Sequence, residues 1–505
     1  MGSIFFQSDV MTSLWSFLLA IAILVGVHEY GHYKTAVALG VKVLRFSLGF
    51  GPVIFRSSMG RQVLSDDGAQ KGETEFVISL IPLGGYVTFL DENSDPELHE
   101  DWSRAFHRQS LLSRSLIVAA GPLANFLLAV VMLVLMNLYG FESVAPILST
   151  PAIQSVAQKA SIESGMRVLK MAPKGEELKE IASYAQFEKA VLQGLSSHQS
   201  LDLVMANPLG HSKALTPIEL DLSSVHLLLN GADHEAHALE LEDQERVLQA
   251  TIRENPRAVM TLLGFLGPYS QAVLGRVSPG GAADQAGLIE GDKVLSINER
   301  PIADAYALRT HIAKSGQFEP IEAQTWRIER KGVPEPVLLS LTPQRRMQGK
   351  EGVGRIEAYV GSPAERVWVQ EGPLGAFQVA CSTAYEWTYQ TVVSIYQLVA
   401  GNTQLSQLGG PISLAKYAGE SVHLGFAAFL SYLALVSINL AVFNLLPIPA
   451  LDGGHLLCYC WEGLSGRALS ERFIQGFQKI GLFFILALSV YAIRNDLMRA
   501  WGLSP

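Results

Sequence analysis

The sequence predicts a polytopic α-helical membrane protein that carries an inserted α+β segment. Of its 505 residues only 17% are charged, against about 25% in soluble proteins. Uncharged apolar runs of spanning length occur at 11–27, 116–141 and 424–446, and a shorter run occurs at 480–493. About four transmembrane helices are therefore expected, separated by one long segment outside the bilayer.

Basic residues predict the orientation of these helices. No lysine or arginine precedes the first run, whereas eight lie between Lys42 and Arg114, which places that stretch in the cytoplasm. The N-terminus and the segment 142–423 are then outside, as is the C-terminus, although Arg494 and Arg499 argue against that last placement. The first run lacks a basic leading segment and a small-residue cleavage site, so we expect it to stay in the protein.

Charge and cysteine content exclude several function classes. The net charge of −9 offers no basic surface for nucleic acid. Three cysteines, two of them at the inner end of a predicted span, indicate neither a disulfide framework nor a cysteine-type zinc site.

Between the first two spans, in the region 41–111, the sequence predicts membrane-associated β-hairpins. The segments "RFSLGFGPVIFRS" and "TEFVISLIPLGGYVTFL" are β-branched, aromatic and interrupted by glycine. Because they are also very apolar, we expect them to dip into the membrane interface, where irregular backbone is tolerated only beside protein or a water-filled cavity. An ordinary cytoplasmic hairpin is the alternative.

The outer segment contains the string "VLGRVSPGGAADQAGLIEGDKVLSINERPI" at 273–302, which resembles the PDZ fold. The stretch at 160–171 looks like a degraded copy, with Gly165 and Val168 at matching spacing but without the Gly-Asp pair. Tandem PDZ-like domains are therefore expected at 142–262 and 263–350. The resemblance implies binding of an extended peptide or a gating role, while a purely structural spacer is the alternative for the first domain.

The remaining boundaries follow from the apolar pattern. A helix at 372–401, with Glu386 as its only charge beyond the start, suits the outer membrane face. The predicted order is listed here: 1–40 first span, 41–111 hairpins, 112–141 second span, 142–262 and 263–350 PDZ-like domains, 351–423 membrane-surface helices and loop, 424–461 third span, 473–495 fourth span.

The pattern "HEYGH" directly after the first apolar run predicts a metal site. On a helix His28 and His32 share one face, so both imidazoles can reach one metal ion, and Glu29 lies beside it as a candidate general base. Each ionisable group at membrane depth costs roughly 2.5–3.5 kcal/mol, so three within five residues indicate a function.

A catalytic zinc ion has three protein ligands, so one more must come from elsewhere in the chain. The third span ends in "NLLPIPALDGGH", where two prolines break the helix and Asp452 follows. Asp452 is the predicted third ligand and His455 is the competing one. A helix-capping or turn aspartate is the alternative interpretation of Asp452.

These motifs, with "PLGGYV" and "GPLANF" between them, resemble the site-2 protease family of intramembrane zinc metalloproteases over nearly the whole chain. The resemblance implies Zn²⁺ bound by His28, His32 and Asp452, with Glu29 as the base. It also implies that Asn439 and Asn444 hold an unwound substrate strand, although polar contacts between helices are the alternative for both.

The resemblance further implies a place and a class of substrate. The protein would be a multi-pass protein of the bacterial inner membrane with its PDZ domains in the periplasm. Its substrates would be single-span membrane proteins, namely pre-cleaved anti-sigma factors in an envelope stress response, and remnant signal peptides.

Unwinding of the substrate has a candidate device in the apolar hairpin. Its strand could pair with an unwound segment by strand addition, while Gly84 and Gly85 permit the turn and a close backbone approach. Two other function classes stay open at this point: a membrane zinc transporter, and an inactive membrane adaptor that uses only its PDZ domains.

Overall fold

The computed structural model describes residues 2–64, 70–91, 101–206, 218–222, 252, 255–317, 320–348, 351–401, 409–467 and 469–501. The chain divides into two compact units, a helical unit (Met1–Phe141 with Gln370–Pro505) and an inserted unit (Glu142–Val369). Parts of the first predicted PDZ-like domain (207–217, 223–251 and 253–254) and of the predicted surface loop (402–408) lie outside the described residues.

The α-helices of the described residues are α1 (Gly2–Ala38), α2 (Leu111–Tyr139), α3 (Val156–Lys159), α4 (Tyr184–Ser196), α5 (Pro256–Leu263), α6 (Ala282–Gln285), α7 (Ala305–Ser315), α8 (Pro373–Val399), α9 (Pro411–Leu424), α10 (Phe426–Leu445), α11 (Asp452–Ser465) and α12 (Glu471–Ala500).

The strands are β1 (Val43–Leu64), β2 (Gln70–Phe89), β3 (Phe141–Val144), β4 (Arg167–Pro173), β5 (Lys179–Glu180), β6 (Leu201–Ala206), β7 (Ile218–Leu220), β8 (Leu274–Val277), β9 (Lys293–Ile297), β10 (Arg300–Pro301), β11 (Gln324–Glu329), β12 (Val337–Leu341), β13 (Gln344–Gln348), β14 (Glu351–Arg355), β15 (Ala358–Val360) and β16 (Arg366–Val369).

Four helices of the described residues are long and apolar enough to cross a membrane, which confirms the four predicted spans as helices. They lie in α1, α2, α10 and α12, over Val10–Ala38, Leu111–Tyr139, Phe426–Leu445 and Arg472–Ala500. Their ends follow local chemistry. The Ser110 hydroxyl accepts a hydrogen bond from the Ser113 N–H at the start of α2, and Gly140 ends that helix with a φ of 87°.

The predicted hairpin region forms strands, but β1 and β2 fold into more than a simple pair. Residues 45–48 of β1 pair with 85–88 of β2 on one side and with 75–78 of β2 on the other, and later residues of β1 pair with 75–79 again. Residues 85–88 therefore form an edge, with no further strand partner among the residues that the structure describes. Large apolar side chains remain exposed on this sheet: Phe50, Ile54, Phe55 and Leu80.

Helix α8 differs from the helix predicted to lie on the membrane surface within 351–423. Its small side chains Ala380 and Ala384 are buried in a cluster with Leu133 of α2 and Ile438 of α10. Small residues let helix axes approach closely, so α8 packs lengthwise against two of the candidate spans. The sequence pattern showed an apolar face and could not show which surface that face meets.

The inserted unit contains two sheets with the same construction. In each, a short helix, a strand, a two-residue strand, a longer helix and two strands follow one another, with sheet orders β5-β4-β6-β7 and β10-β9-β11-β12. The predicted matching positions agree: Gly165 and Gly291 have φ values of 85° and 92°, and Val168 and Val294 are buried. Duplication of one α+β fold explains this correspondence.

The boundary predicted at residue 350 is too early. Strand β15 pairs with β8, and Ile356 and Val360 are buried in the core of the second sheet with Trp326. Residues 351–369 therefore belong to the inserted unit rather than to membrane-surface helices. Their apolar stretches, "AYV" and "VWV", are only three residues long, so the sequence pattern did not reveal them as strands.

A fully buried carboxylate, that of Asp304, joins the two halves of the inserted unit. Its oxygens accept hydrogen bonds from the Thr150 N–H at 2.5 Å, the Thr150 hydroxyl at 2.8 Å and the Ser164 hydroxyl at 2.6 Å. Asp304 also caps α7 by accepting from the Ala307 N–H at 2.7 Å. One charge thus satisfies polar groups on both sides of the duplication.

We predict that Asp304→Ala increases amide hydrogen exchange at both Thr150 and Ala307. Removing the carboxylate leaves buried N–H and O–H donors without an acceptor, which costs about 1–3 kcal/mol of stability for each donor. Hydrogen–deuterium exchange of the full-length protein measures this. The control is Asp284→Ala, which removes an exposed carboxylate whose one hydrogen-bond donor among the described residues is the Gly280 N–H. Unchanged exchange at Thr150 in Asp304→Ala would show that this carboxylate does not hold the two halves together.

Candidate metal centre

Helix α1 and the start of α11 bring three candidate ligands together. The Nε2 atoms of His28 and His32 are 3.2 Å apart, and Oδ2 of Asp452 lies 3.2 Å from the first and 3.6 Å from the second. Among the described residues these three form a group of ligand atoms that could hold one metal ion. The pairing predicted across more than 400 residues of sequence is thus formed in space.

The spacing of these atoms fits zinc. Ligand atoms bonded at about 2.1 Å at tetrahedral corners are about 3.4 Å apart, close to the three distances observed. The Nδ1–H of His32 donates to the Ile117 carbonyl at 2.8 Å. The Nε2 atom of His32 is therefore unprotonated, and its lone pair is available beside the other two ligand atoms. Oδ2 of Asp452 is buried without a hydrogen bond from the described residues. Three electron-rich atoms this close together repel one another unless a cation binds between them.

The loop after α10 places Asp452. Leu446 adopts an extended conformation before Pro447, which ends the helix, and Ala450 has a φ of 74°. A side chain at Gly453 or Gly454 would clash with backbone carbonyls of the 445–448 segment, so these glycines let the loop fold tightly against α11. Asp452 therefore begins a helix while facing α1.

A glycine on α2 also shapes the site. A side chain at Gly121 would overlap the imidazole rings of His28 and His32, so only glycine permits α2 to lie this close. This observation explains why the "GPLANF" stretch lies next to the predicted ligands.

Asn125 of α2 is a site residue that sequence reasoning missed. Its side-chain amide lies 3.3 Å from Nδ1 of His28, and it is completely buried. A histidine that binds metal through Nε2 carries its proton on Nδ1 and needs an acceptor there. Turning the amide so that Oδ1 accepts from that N–H also gives a partner to Oδ1, which is otherwise unsatisfied. An asparagine within an apolar span was the feature of the sequence that could have identified this site residue.

The side chain of Glu29 lies next to Gly85 of the β-sheet. A side chain at Gly85 would come within 2.9 Å of Cγ of Glu29 and 2.8 Å of the Ser47 carbonyl. Gly85 begins the 85–88 edge, so the candidate base lies beside the open edge of the sheet. Gly84, with a φ of 151°, packs against the Phe50 ring, where a side chain would clash.

The two candidate substrate-binding asparagines on α10 differ. Oδ1 of Asn439 accepts a hydrogen bond from the Thr391 hydroxyl of α8 at 2.8 Å, the kind of contact between helices that was the alternative for it. Asn444 is partly exposed, and no described residue hydrogen-bonds to its side chain. Its amide is available to a ligand.

His455, the competing ligand, lies outside the trio. Its Nε2 is 3.4 Å from the amide nitrogen of Gln478 on α12. It lies three residues after Asp452, and its contact is with the last span rather than with the two histidines of α1.

Comparison with known proteins decides the family. The model of peptidase family M50 matches residues 16–488. The chain belongs to peptidase family M50. It is 33% identical over 493 residues to the "Regulator of sigma E protease" of Haemophilus influenzae, covering 96% of this chain and 99% of that one. It is also 33% identical over 505 residues to "Regulator of sigma-E protease RseP" of Escherichia coli, covering 97% and 100%.

M50 peptidases are zinc-dependent, and this M50 protease is a site-2-type zinc metalloprotease with a multi-pass membrane architecture. The family and the geometry agree on the nature of the metal.

We predict that Asp452→Asn lowers the zinc content of the purified M50 protease well below one ion per chain, whereas His455→Ala leaves it near one. Only Asp452 lies within reach of both histidines. Metal analysis by mass spectrometry measures both variants. If His455→Ala lost zinc and Asp452→Asn retained it, His455 rather than Asp452 would be the third ligand.

We predict that Asn125→Ala weakens zinc binding about 10- to 100-fold, because a partner that orients a metal-binding histidine has that effect. Competition with a chelator of known affinity measures the change. The matched control is Asn137→Ala, also buried on α2. Within the part of the chain that the structure describes, its amide donates to the Leu133 carbonyl of its own helix and to no other group. Equal affinities in the two variants would mean that Asn125 does not orient His28.

Proposed function

We propose that this M50 protease cleaves a peptide bond within the transmembrane segment of single-span membrane proteins. In this proposal His28, His32 and Asp452 hold zinc and Glu29 is the general base. One observation carries it: three candidate ligands and a glutamate lie beside the open edge of a β-sheet, among helices apolar enough to span a membrane.

The chemistry divides between the metal and Glu29. When bound, zinc polarises the scissile carbonyl and lowers the pKa of water at the site. Glu29 accepts the proton of the attacking water and later donates it to the leaving amine. His32 and Asp452 keep their positions through Ile117 and the tight 445–454 loop, so the proton transfers occur at a fixed place.

A transmembrane helix hides its carbonyls in internal hydrogen bonds, so it must unwind before attack. The 85–88 edge offers unpaired backbone groups to such a segment, and Gly85 brings that edge against Glu29. Gly84 permits the chain to turn before the edge. Asn444 has no hydrogen-bond partner among the described residues and is free to hydrogen-bond the substrate backbone, whereas Asn439 would do so only after releasing Thr391.

The printed names of the relatives indicate the class of substrate. A regulator of sigma E acts in sigma-factor control, which supports a membrane-bound anti-sigma factor, already trimmed outside, as the substrate here. Remnant signal peptides are a second substrate class. We place the protein in the bacterial inner membrane, acting in an envelope stress response.

The duplicated sheets of the inserted unit support two PDZ domains, which we place in the periplasm. The motif at 273–302 occupies β8, α6 and β9, and the matching Gly165 and Val168 occur in the first copy. We propose that they act as a size filter that admits only substrates without a bulky outer domain. Exposed grooves that bind extended peptides are the known use of this fold.

The zinc transporter and the inactive adaptor are less well supported. Transport does not require a glutamate beside the metal, and the family of this chain is a family of proteases. An adaptor has no use for ligands that are costly to bury.

We predict that Glu29→Gln lowers cleavage of a labelled single-span substrate at least 100-fold while zinc content stays at the wild-type level, because removal of a general base typically costs 10²–10⁴-fold. The assay uses the full-length protein reconstituted in vesicles. The control is Glu371→Gln, a glutamate of the helical unit distant in sequence from the motif. Activity that survives Glu29→Gln would remove Glu29 from the mechanism.

We predict that replacing residues 142–369 with a short linker permits cleavage of untrimmed substrate. The linker is feasible because the Glu371 N–H donates to the Asn137 carbonyl, so the chain leaves and re-enters the helical unit at neighbouring points. Wild type should cleave only trimmed substrate. If the shortened protein cleaves trimmed substrate and still refuses the untrimmed form, the filter lies in the helical unit.

A further inference from the structure

A groove between α1 and α2 lies on the side of these helices away from the metal centre. Its volume is about 750 Å³, and its walls are almost entirely apolar. Gly31, Thr35 and Ala38 of α1 form one wall at helical spacing, opposite leucines of α2. A side chain at Gly31 would clash with the Ala120 backbone, so the two helices touch at the floor of the groove.

The groove is longer than one leaflet of hydrocarbon is deep, so a lipid chain fits within its length. Along α2 its lining extends from Leu116 to Val131, which corresponds to about 22 Å of helix at 1.5 Å per residue. One leaflet of hydrocarbon is about 15 Å deep. The apolar walls and the length of the groove therefore suit an acyl chain.

A cationic side chain, that of Lys34, lines the groove on the α1 side. Lys34 lies one turn before the end of α1 at Ala38, and its ammonium group is 5.6 Å from the centre of the Tyr30 ring. It is exposed, and among the described residues no carboxylate lies within salt-bridge distance of it. A lysine near the end of a spanning helix reaches toward the interface, where lipid phosphates are found.

We propose that this groove is a binding site for one anionic glycerophospholipid. The acyl chain lies along Leu123 and Leu127 of α2, and the phosphate pairs with Lys34. Because Gly31 and Ala120 adjoin His32 and Gly121 in sequence, the lipid supports the α1–α2 contact directly behind the metal centre. Nothing in this proposal requires the protease to be active.

The test uses the delipidated full-length protein in detergent, with native mass spectrometry to count bound lipid. Dioleoyl phosphatidylglycerol is the anionic probe and dioleoyl phosphatidylcholine the zwitterionic one. We expect one tightly bound lipid and about a fivefold preference for phosphatidylglycerol, as one lysine near a membrane surface provides.

Two variants with matched controls separate the parts of the site. Lys34→Gln should abolish the preference between the two lipids, whereas Lys479→Gln, an exposed lysine on α12, should keep it. Leu127→Trp should weaken both lipids at least tenfold by filling the groove, whereas Leu135→Trp, exposed on α2 outside the groove, should not.

Zinc content near one ion per chain shows that each variant is folded, and Leu123→Trp replaces Leu127→Trp if the latter is not. The proposal is overturned if Lys34→Gln still prefers phosphatidylglycerol over phosphatidylcholine. It is also overturned if the folded tryptophan variant binds lipid as tightly as the wild type does. A tryptophan variant that changes from dimer to monomer with its lipid unchanged also overturns it, because the groove would then hold a protein helix.

Discussion

The structure depends on the burial or partial burial of three candidate metal-binding side chains among apolar helices. Polar groups in this environment must have partners, since each unpaired group costs several kcal/mol. His32 is satisfied by the Ile117 carbonyl and His28 lies against Asn125, so α2 supplies the outer partners of both imidazoles. Their inner nitrogens face Asp452, and only a cation satisfies all three at once.

Close backbone approach is the second requirement. Gly121 lets α2 pass over the imidazoles, and Gly85 lets the sheet edge lie against Glu29. Any side chain at either position would separate an element from the site. The positions of these glycines thus decide that a helix, a sheet edge and a loop meet at one point, which is the arrangement that hydrolysis of an unwound segment requires.

The two sides of the α1–α2 pair have different tasks. One side carries the candidate ligands, while the other carries the apolar groove, which Lys34 also lines. The same contact at Gly31 forms the floor of the groove and fixes the spacing of the helices behind the metal. A lipid in the groove and a metal in the site would therefore stabilise the same pair of helices.

Local sequence patterns were enough to predict four apolar helices of spanning length, the shared face of His28 and His32, the strands of the hairpin region, and the repeated glycine and valine of the inserted unit. These follow from periodicity, charge and turn chemistry within short stretches. Asp452 was preferred over His455 because it follows the break of α10. The sequence alone left that choice open, because it rests on a contact between residues more than 400 positions apart.

Only the tertiary structure decided the features that depend on packing between distant segments. The role of Asn125, the edge formed by residues 85–88, the packing of α8 through its alanines and the Asp304 link all join such segments. An alanine stripe or a lone asparagine has the same local pattern whichever surface it meets. The partner it contacts is fixed only when the whole chain has folded.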